Sequence, residues 1–350
     1  MILHLDMDYF FAQVEERENP RFKGEPLVVG SDPKGGEARG VVSTANYEAR
    51  KFGISSGMAI SKAYKLCPKA IYLPVNKNLY SRVSESIFRI METVSDKCER
   101  VSFDEAYLDL SRVAKNYSQA EKIGRDLKEM ILRKEKLTSS VGIGKNKMIA
   151  KIASEEDKPD GLTVVRPGET IGFISKKSVR DIPGIGPKTE KELEHILGKS
   201  DLKVKDLKRL SMDQLVNDFG KRGADIYKKA RGKDDSRVKT KTETKSLGRE
   251  TTFDKNTTDP EVIISTFKSL SKEVVDLARE EERNIKTIVT VCRFEGFDSY
   301  TKQISFKPKK PTRDLVYGEG VKLLLDLLTQ KARPVRLLGV RVIFVKSKNR

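Results

Sequence analysis

The sequence predicts an α+β protein of several domains. A ferredoxin-like split βαβ sheet carries a small insertion, a helical segment follows, and a second split βαβ unit closes the chain. Three observations carry this. The order strand, helix, strand, strand, helix, strand can be read twice along the chain. The polar stretch from Gly232 to Lys245 separates the two readings and has too few large apolar residues to build a core. At 350 residues the chain has room for roughly two to four domains of ordinary size.

The first element is a strand, because Ile2-Leu-His-Leu-Asp-Met7 is apolar and β-compatible. Tyr9 to Glu16 continues as a helix with Phe10, Phe11 and Val14 on its apolar side. Residues 20–77 form a mixed insertion, with short strands at Pro26–Gly30 and Gly40–Thr44 around a Gly/Asp/Pro-rich turn. Tyr80 to Asp96 is an amphipathic helix with Val83, Ile87, Ile90 and Met91 on one face. Arg100 to Leu110 reads as two strands meeting near an acidic pair. A helix from Ser118 to Glu135, a strand at Ser139–Ile143, a helix starting near Lys145 and a strand at Gly161–Val165 complete the first sheet. Residues 168–231 are helical and basic. Beyond them come strands at 246–253, 285–294, 300–306 and 335–345, with helices at 259–282 and 312–329. The spacing of Val262, Ile263, Phe267, Leu270, Val274 and Leu277 fixes the first of those helices.

Charge narrows the function. The chain has a formal net charge of +18, and half of that excess lies in residues 233–350. Such a field favours a polyanionic partner: nucleic acid, acidic lipid or a phosphate-rich ligand. No apolar run is long enough to span a bilayer, and the acid at Asp6 argues against a signal peptide. The three cysteines and two histidines are far apart, which excludes the usual zinc spacings and a Ser-His-Asp triad. A cytoplasmic setting fits, and any metal should be a hard cation held by carboxylates.

Two acidic sites stand out. Leu5-Asp6-Met7-Asp8 ends the first strand, and Ser102-Phe103-Asp104-Glu105 lies at a strand turn. Neighbouring strands of a split βαβ sheet would bring Asp6, Asp104 and Glu105 to one edge. Three carboxylates there would repel unless divalent cations neutralise them. Mg²⁺ takes oxygen ligands, including a backbone carbonyl that Met7 can supply. Two such ions about 3.5–4 Å apart can clamp an in-line phosphoryl transfer. The alternative is that these acids are solvated strand-end charges, which is the preferred reading for Asp8 and Asp109.

Five ordered blocks resemble the signatures of Y-family, lesion-bypass DNA polymerases of the DNA polymerase IV type, with archaeal members nearest. They are Asp6-Met-Asp-Tyr-Phe-Phe-Ala-Gln-Val-Glu15, Ser43-Thr-Ala-Asn-Tyr-Glu-Ala-Arg50, Ser102-Phe-Asp-Glu-Ala-Tyr-Leu-Asp109, Gly142-Ile-Gly-Lys-Asn-Lys-Met-Ile-Ala-Lys-Ile-Ala-Ser154 and Lys158-Pro-Asp-Gly161. The resemblance covers essentially the whole chain. It implies a palm at 1–18 and 78–166, fingers at 19–77, a thumb at 167–232, a flexible linker at 233–244 and a DNA-binding little finger at 245–350.

The resemblance also implies roles. Asp6 and Asp104 would bridge two Mg²⁺ ions (Mn²⁺ being a substitute), with Glu105 the third acid near the primer 3′-hydroxyl and the Met7 carbonyl a further ligand. Thr44, Tyr47, Arg50 and Lys158 would grip the triphosphate of an incoming dNTP, Tyr9 and Phe10 would contact the same dNTP, and Phe11 would stack against its sugar. Phe11 is the expected gate against a 2′-hydroxyl; core packing of the first helix is the other reading for it and for Phe10. Gly57 and Met58 would cover the nascent base pair.

Asp181-Ile-Pro-Gly-Ile-Gly-Pro-Lys-Thr-Glu190 has the helix-hairpin-helix pattern, in which Gly184, Ile185, Gly186 and Lys188 would meet a DNA phosphate. Phe219-Gly-Lys-Arg-Gly-Ala224 reads either as a degenerate second copy or as a plain turn. The expected substrates are primer-template DNA and dNTPs, handled by a monomer. A sliding clamp is a possible partner, although family members often finish with a hydrophobic clamp-binding peptide and Phe344 to Arg350 contains none. The rival is a non-catalytic DNA-binding protein using the hairpin and the basic C-terminal domain. A nucleotidyl cyclase could share the sheet and its metals, but would need neither of those two.

Overall fold

The computed structural model describes residues 1–240 and 243–346. It falls into two compact units, Met1–Asp32 with Val41–Thr242 and Pro33–Gly40 with Glu243–Arg350.

In the first unit β1 (Ile2–Met7) is the central strand, and α1 (Phe10–Glu18) follows it directly. The insertion comes next, as β2 (Leu27–Gly30), β3 (Val42–Ala45), α2 (Tyr47–Arg50), α3 (Ile60–Leu66) and β4 (Ile71–Leu73). Its strands form a separate sheet in the order β3-β2-β4. The chain returns through α4 (Lys77–Val94), β5 (Cys98–Arg100), β6 (Glu105–Asp109), α5 (Tyr117–Glu135), β7 (Ser139–Gly144), α6 (Lys147–Ser154) and β8 (Leu162–Val164).

The main sheet runs β5-β6-β1-β7-β8. Its first four strands are antiparallel in the split βαβ order, and β8 adds to the edge parallel to β7. Strand periodicity sorts β1 between two layers. Leu3, Leu5 and Met7 enter a core with Val83, Ile87, Met91, Leu127 and Ile131 from α4 and α5. His4 and Asp6 turn to the opposite face, where α6 crosses. Gly142 and Gly144 permit that crossing: a Cβ on Gly142 would lie 2.0 Å from the Ala150 carbonyl oxygen.

The helical segment holds α7 (Thr170–Ser175), α8 (Pro187–Leu197), α9 (Met212–Phe219) and α10 (Lys221–Lys229). Its core residues Ile174, Val179, Leu193, Leu215 and Ile226 pack together with Ile149 and Ile152 of α6. The segment is therefore keyed to the sheet by a helix that also carries site residues.

The expectation of a flexible linker needs correction over its described part. Asp234 accepts from the Met148 N–H at 3.0 Å, Asp235 pairs Lys228 at 2.8 Å, and the Lys239 N–H donates to Glu99 at 2.8 Å. Polar composition excluded a core here, but these side chains still found partners on the first unit.

The second unit contains β9 (Ser246–Thr257), α11 (Pro260–Glu280), β10 (Ile285–Phe294), β11 (Ser299–Lys309), α12 (Arg313–Lys331) and β12 (Val335–Phe344). The element order repeats that of the first sheet, but the strand order does not. It is β11-β10-β12-β9, so the first strand of the hairpin is the inner one, whereas β6, the second, is inner in the first sheet. Composition accounts for the difference. β10 is an apolar run buried on both faces, while β11 alternates and suits an edge.

Among the described residues no helix is long and apolar enough to cross a membrane. The end of the tail expected to lack a clamp-binding peptide, residues 347–350, lies outside the described residues.

Candidate active site

The acidic cluster is built by strand register. Asp6 of β1 stands opposite Glu105 of β6, and the Met7 N–H donates to the Asp104 carbonyl at 3.0 Å. Ligand atoms of His4, Asp6 and Glu105 lie within 4.8 Å of one another. Asp104 is half-buried beside them, with Ser102 Oγ donating to its Oδ1 at 2.5 Å. Met7 keeps its side chain in the core, which leaves only its backbone for the site.

Electrostatics sharpen this picture. Burial raises the Asp6 carboxyl to about 6 against the pull of Lys158, and Glu155 and Asp104 add to the rise. Burial also raises Asp104. Glu105 goes the other way, to about 2, held by hydrogen bonds from His4 and Lys151. Burial is what sets the two raised carboxyls apart from Glu105. Lys158 Nζ reaches Asp6 Oδ1 and Glu155 Oε1, each at 2.8 Å. Asp6, Asp104 and Glu105 offer hard oxygen atoms of the kind a divalent cation takes.

Asp8 corrects the expectation of a solvated strand-end charge. It is only 5% exposed, and its carboxylate accepts from Ser140 Oγ at 2.5 Å, Thr138 Oγ1 at 2.6 Å and the Asp160 N–H at 3.1 Å. It anchors the loop that carries Lys158. Asp109 sits half-buried at the end of β6, pairs Lys97 at 3.4 Å and takes no part in the cluster.

The aromatic residues divide in two. Phe10 is 1% exposed and lies in the core, where the first turn of α1 turns it, so its side chain does not reach the surface for the expected dNTP contact. Phe11 is half-buried and stacks on Tyr80, with ring centroids 4.2 Å apart and an interplanar angle of 14°. Tyr80 is fully buried and donates to Glu15 at 2.6 Å, so Phe11 has a rigid backing. The exposed ring of Phe103, one residue before Asp104, meets Phe11 edge-on at 6.0 Å.

The insertion supplies the remaining predicted residues. Asn46 caps α2 through the Ala49 N–H, which fixes Tyr47 in the first turn. The Tyr47 ring packs edge-on to Tyr9 at 5.3 Å and lies under the Arg50 guanidinium at 4.7 Å. Its buried hydroxyl has no hydrogen-bond partner among the described residues. Tyr9 itself donates to Glu16 at 3.0 Å. Thr44 lies half-buried in β3. The exposed Gly57 has φ +80°, a conformation suited to glycine, and its turn is pinned to β3 by two backbone bonds between Gly57, Met58 and Val42.

With this geometry in place, comparison with known proteins becomes informative. The chain matches the impB/mucB/samB family over residues 5–155, the C-terminal domain of that family over 244–350, and a DNA polymerase-iota thumb domain over 180–234. It is 40% identical over 347 residues to the DNA polymerase IV of Methanoculleus marisnigri, covering 99% of this chain and 95% of that one. DNA polymerase IV 2 of Methanosarcina mazei is 39% identical over 349 residues, covering 100% and 93%. Among experimental structures, a Y-family DNA polymerase chimera of Dbh and Dpo4 matches at 36% identity and a TM-score of 0.89, covering 98% of each chain. The insertion ternary complex of Dbh DNA polymerase matches at 36% identity, 98% coverage of each chain and a TM-score of 0.68.

The chain belongs to the Y-family DNA polymerases, of the DNA polymerase IV type. It is a DNA-directed DNA polymerase of the translesion class, its substrates are primer-template DNA and dNTPs, and its chemistry depends on a divalent metal.

In this polymerase the Pro-Gly-Ile-Gly turn has the form the sequence predicted. Gly184 takes φ +100°, Gly186 caps α8, and Lys188 is fully presented to solvent with its side chain 92% exposed. Ile185 is buried and serves as an anchor. At Phe219–Ala224, α9 and α10 form a hairpin about Gly220, a geometry that either reading of that segment allows. Its Arg222 and Lys229 bind the carbonyls of Gly184 and Pro183 at 3.1 and 2.7 Å and brace the first turn.

Sequence reasoning missed His4, Lys151 and Ser154, which form a network behind Glu105. The available signal was the two-residue spacing of His4 and Asp6, which puts both on one face of a strand.

The buried Asp8 generates the first prediction. Asp8→Ala leaves three donors without a charged acceptor and should destabilise the protein by about 3 kcal/mol or more. A solvated charge would change stability by less than about 0.5 kcal/mol. Thermal and urea melts of the variant decide between the two.

Proposed function

We propose that Asp6, Asp104, Glu105 and the Met7 carbonyl hold two Mg²⁺ ions, replaceable by Mn²⁺, and that this centre joins a dNTP to a primer 3′-hydroxyl with release of pyrophosphate. The observation that carries the reading is the register pairing of Asp6 with Glu105, beside a raised Asp104 and a lysine already drawn to Asp6. When bound, such a metal pair stabilises the attacking and leaving oxygens of an in-line displacement.

The chain's own residues do the rest. The unpartnered Tyr47 hydroxyl is free to donate to a phosphate oxygen, and Arg50 and Lys158 add fixed positive charge beside it. Thr44, on the strand leading to Tyr47, is the further triphosphate contact. Tyr9 supports Tyr47 through its ring. Phe11, backed by Tyr80, presents a flat face where a 2′-hydroxyl would have to fit. Gly57 and Met58 cover the nascent pair with little bulk, which accommodates a damaged template.

The domain division follows from the same reading: palm 1–18 and 78–166, fingers 19–77, thumb 167–232, linker 233–244 and little finger 245–350. The Gly184–Lys188 turn and the basic last domain would hold DNA phosphates, mostly without regard to sequence. A monomer and a cytoplasmic place of action accord with the reading. A DNA-binding protein without catalysis has no use for three clustered acids, and a cyclase has none for the hairpin.

Two tests follow. Asp104→Ala or Glu105→Ala should abolish primer extension while leaving primer-template affinity nearly intact, measured on the same preparation. Extension near the wild-type rate in either variant removes that residue from the metal set. Phe11→Ala should preserve dNTP incorporation within a modest factor and raise rNTP incorporation by orders of magnitude. If Phe11 only packs, the variant loses about 3–5 kcal/mol of stability with unchanged sugar selectivity. Single-nucleotide kinetics and a melt separate these outcomes.

A further inference from the structure

We propose that His4 is a positioning residue for the polymerase reaction, its Nε2–H holding one oxygen of Glu105 so that the other faces the divalent cation. The inference rests on the metal-ligand reading of Glu105.

His4 has no solvent exposure. One ring nitrogen lies 2.8 Å from Ser154 Oγ and the other 3.2 Å from Glu105 Oε2. The Lys151 ammonium meets the same oxygen, Oε2. Among the described residues Oε1 has no hydrogen-bond partner, so the carboxylate is fixed from one side and left open on the other. The ring is held in turn: Tyr107 packs on it at 4.5 Å, and Lys147 Nζ lies over the Tyr107 ring, 4.5 Å from its centroid. Lys151 and Ser154 both come from α6, and Gly142, opposite His4 in the sheet, lets α6 approach closely enough to deliver them.

Donor and acceptor rules then fix the tautomer. A carboxylate only accepts, a hydroxyl does both, and a neutral imidazole carries one N–H. Every group is matched when Nε2–H donates to Glu105 and the Ser154 hydroxyl donates to Nδ1. In the opposite tautomer Ser154 would donate to the Lys151 carbonyl, also 2.8 Å away, and Nε2 would point a lone pair at a carboxylate. Such a mismatch in a buried site is the costly arrangement. With Nε2 protonated and Nδ1 accepting from Ser154, the ring has no lone pair left for the metal, although its atoms lie close to those of Asp6 and Glu105. His4 therefore acts through Glu105.

The test uses the full chain with primer-template and the variants His4→Phe, His4→Gln, Ser154→Ala and Glu105→Ala. Mn²⁺ affinity is read from the electron paramagnetic resonance of free Mn²⁺, kcat and KM for dNTP from extension, and the tautomer from long-range ¹H–¹⁵N spectra. The chain has only His4 and His195 to assign. His4→Phe should weaken Mn²⁺ binding and lower kcat by about 10–100-fold, with DNA affinity and the KM for dNTP unchanged. His4→Gln, which keeps an N–H donor near the position of Nε2, should recover most of the loss. The wild-type spectrum should show the proton on Nε2.

Wild-type Mn²⁺ affinity and kcat in His4→Phe would overturn the proposal. So would equal losses in His4→Phe and His4→Gln, which would mean packing, or a ring unprotonated at Nε2. Should His4→Phe fail to fold, Ser154→Ala decides, because it removes the hydroxyl that faces Nδ1 and the Lys151 carbonyl and leaves the ring in place; unchanged Mn²⁺ affinity there overturns the proposal. An inactive Glu105→Ala beside a fully active His4→Phe discards this inference alone. A fully active Glu105→Ala discards the metal reading beneath it.

Discussion

Asp6 and Glu105 face each other across the middle of the main sheet, with Asp104 one residue away, and like charges at that distance repel. The surroundings can be understood as the response to that repulsion. Lys158 comes to Asp6, Lys151 and His4 come to Glu105, and Ser102 comes to Asp104. Each of these is itself held in place. Asp8 ties down the loop bearing Lys158, and two glycines in β7 let α6 bring Lys151 and Ser154 over the sheet. The compensation is unequal: Glu105 is held low by its donors, whereas burial keeps Asp6 and Asp104 raised, Asp6 against the pull of Lys158.

The same helix links the acidic cluster to the helical segment. Lys151 of α6 meets Glu105 and Ser154 meets His4, while its apolar residues Ile149 and Ile152 share a core with the helical segment that carries the Gly184 turn. The brace from Arg222 and Lys229 adds rigidity to that turn without using its N–H groups, since both side chains bind carbonyls. Tyr80 and Asn46 do a comparable job for Phe11 and Tyr47: each is buried and hydrogen-bonded, Tyr80 stacked on Phe11 and Asn46 capping the helix that starts at Tyr47.

Much of this was legible in the sequence because it is local. Apolar runs and 3.6 periodicity located the strands and long helices, and contiguous motifs located the acids, the tyrosine-arginine turn and the hairpin. What could not be read depends on register and on long-range partners. Asp8 looked like an exposed strand end because Thr138, Ser140 and Asp160, which surround it, are more than a hundred residues away. Phe10 and Phe11 are adjacent and chemically identical, and only the packing of α1 tells which ring turns inward. The strand order of the second sheet differs from the first although the element order is the same, because burial of β10 outweighs the analogy. His4 was overlooked as an isolated histidine, since its partners lie on β6 and α6.

The most direct measurement is the position of Mn²⁺ by anomalous scattering in crystals of the full chain with primer-template and a non-hydrolysable dNTP analogue. The account predicts Mn²⁺ bound by Asp6, Asp104 and the Met7 carbonyl, with Glu105 contributing Oε1 while Oε2 keeps His4 and Lys151, and with Lys158 moved from Asp6 to the triphosphate. Mn²⁺ bound away from these acids, or Lys158 still paired to Asp6 in the loaded enzyme, would contradict it.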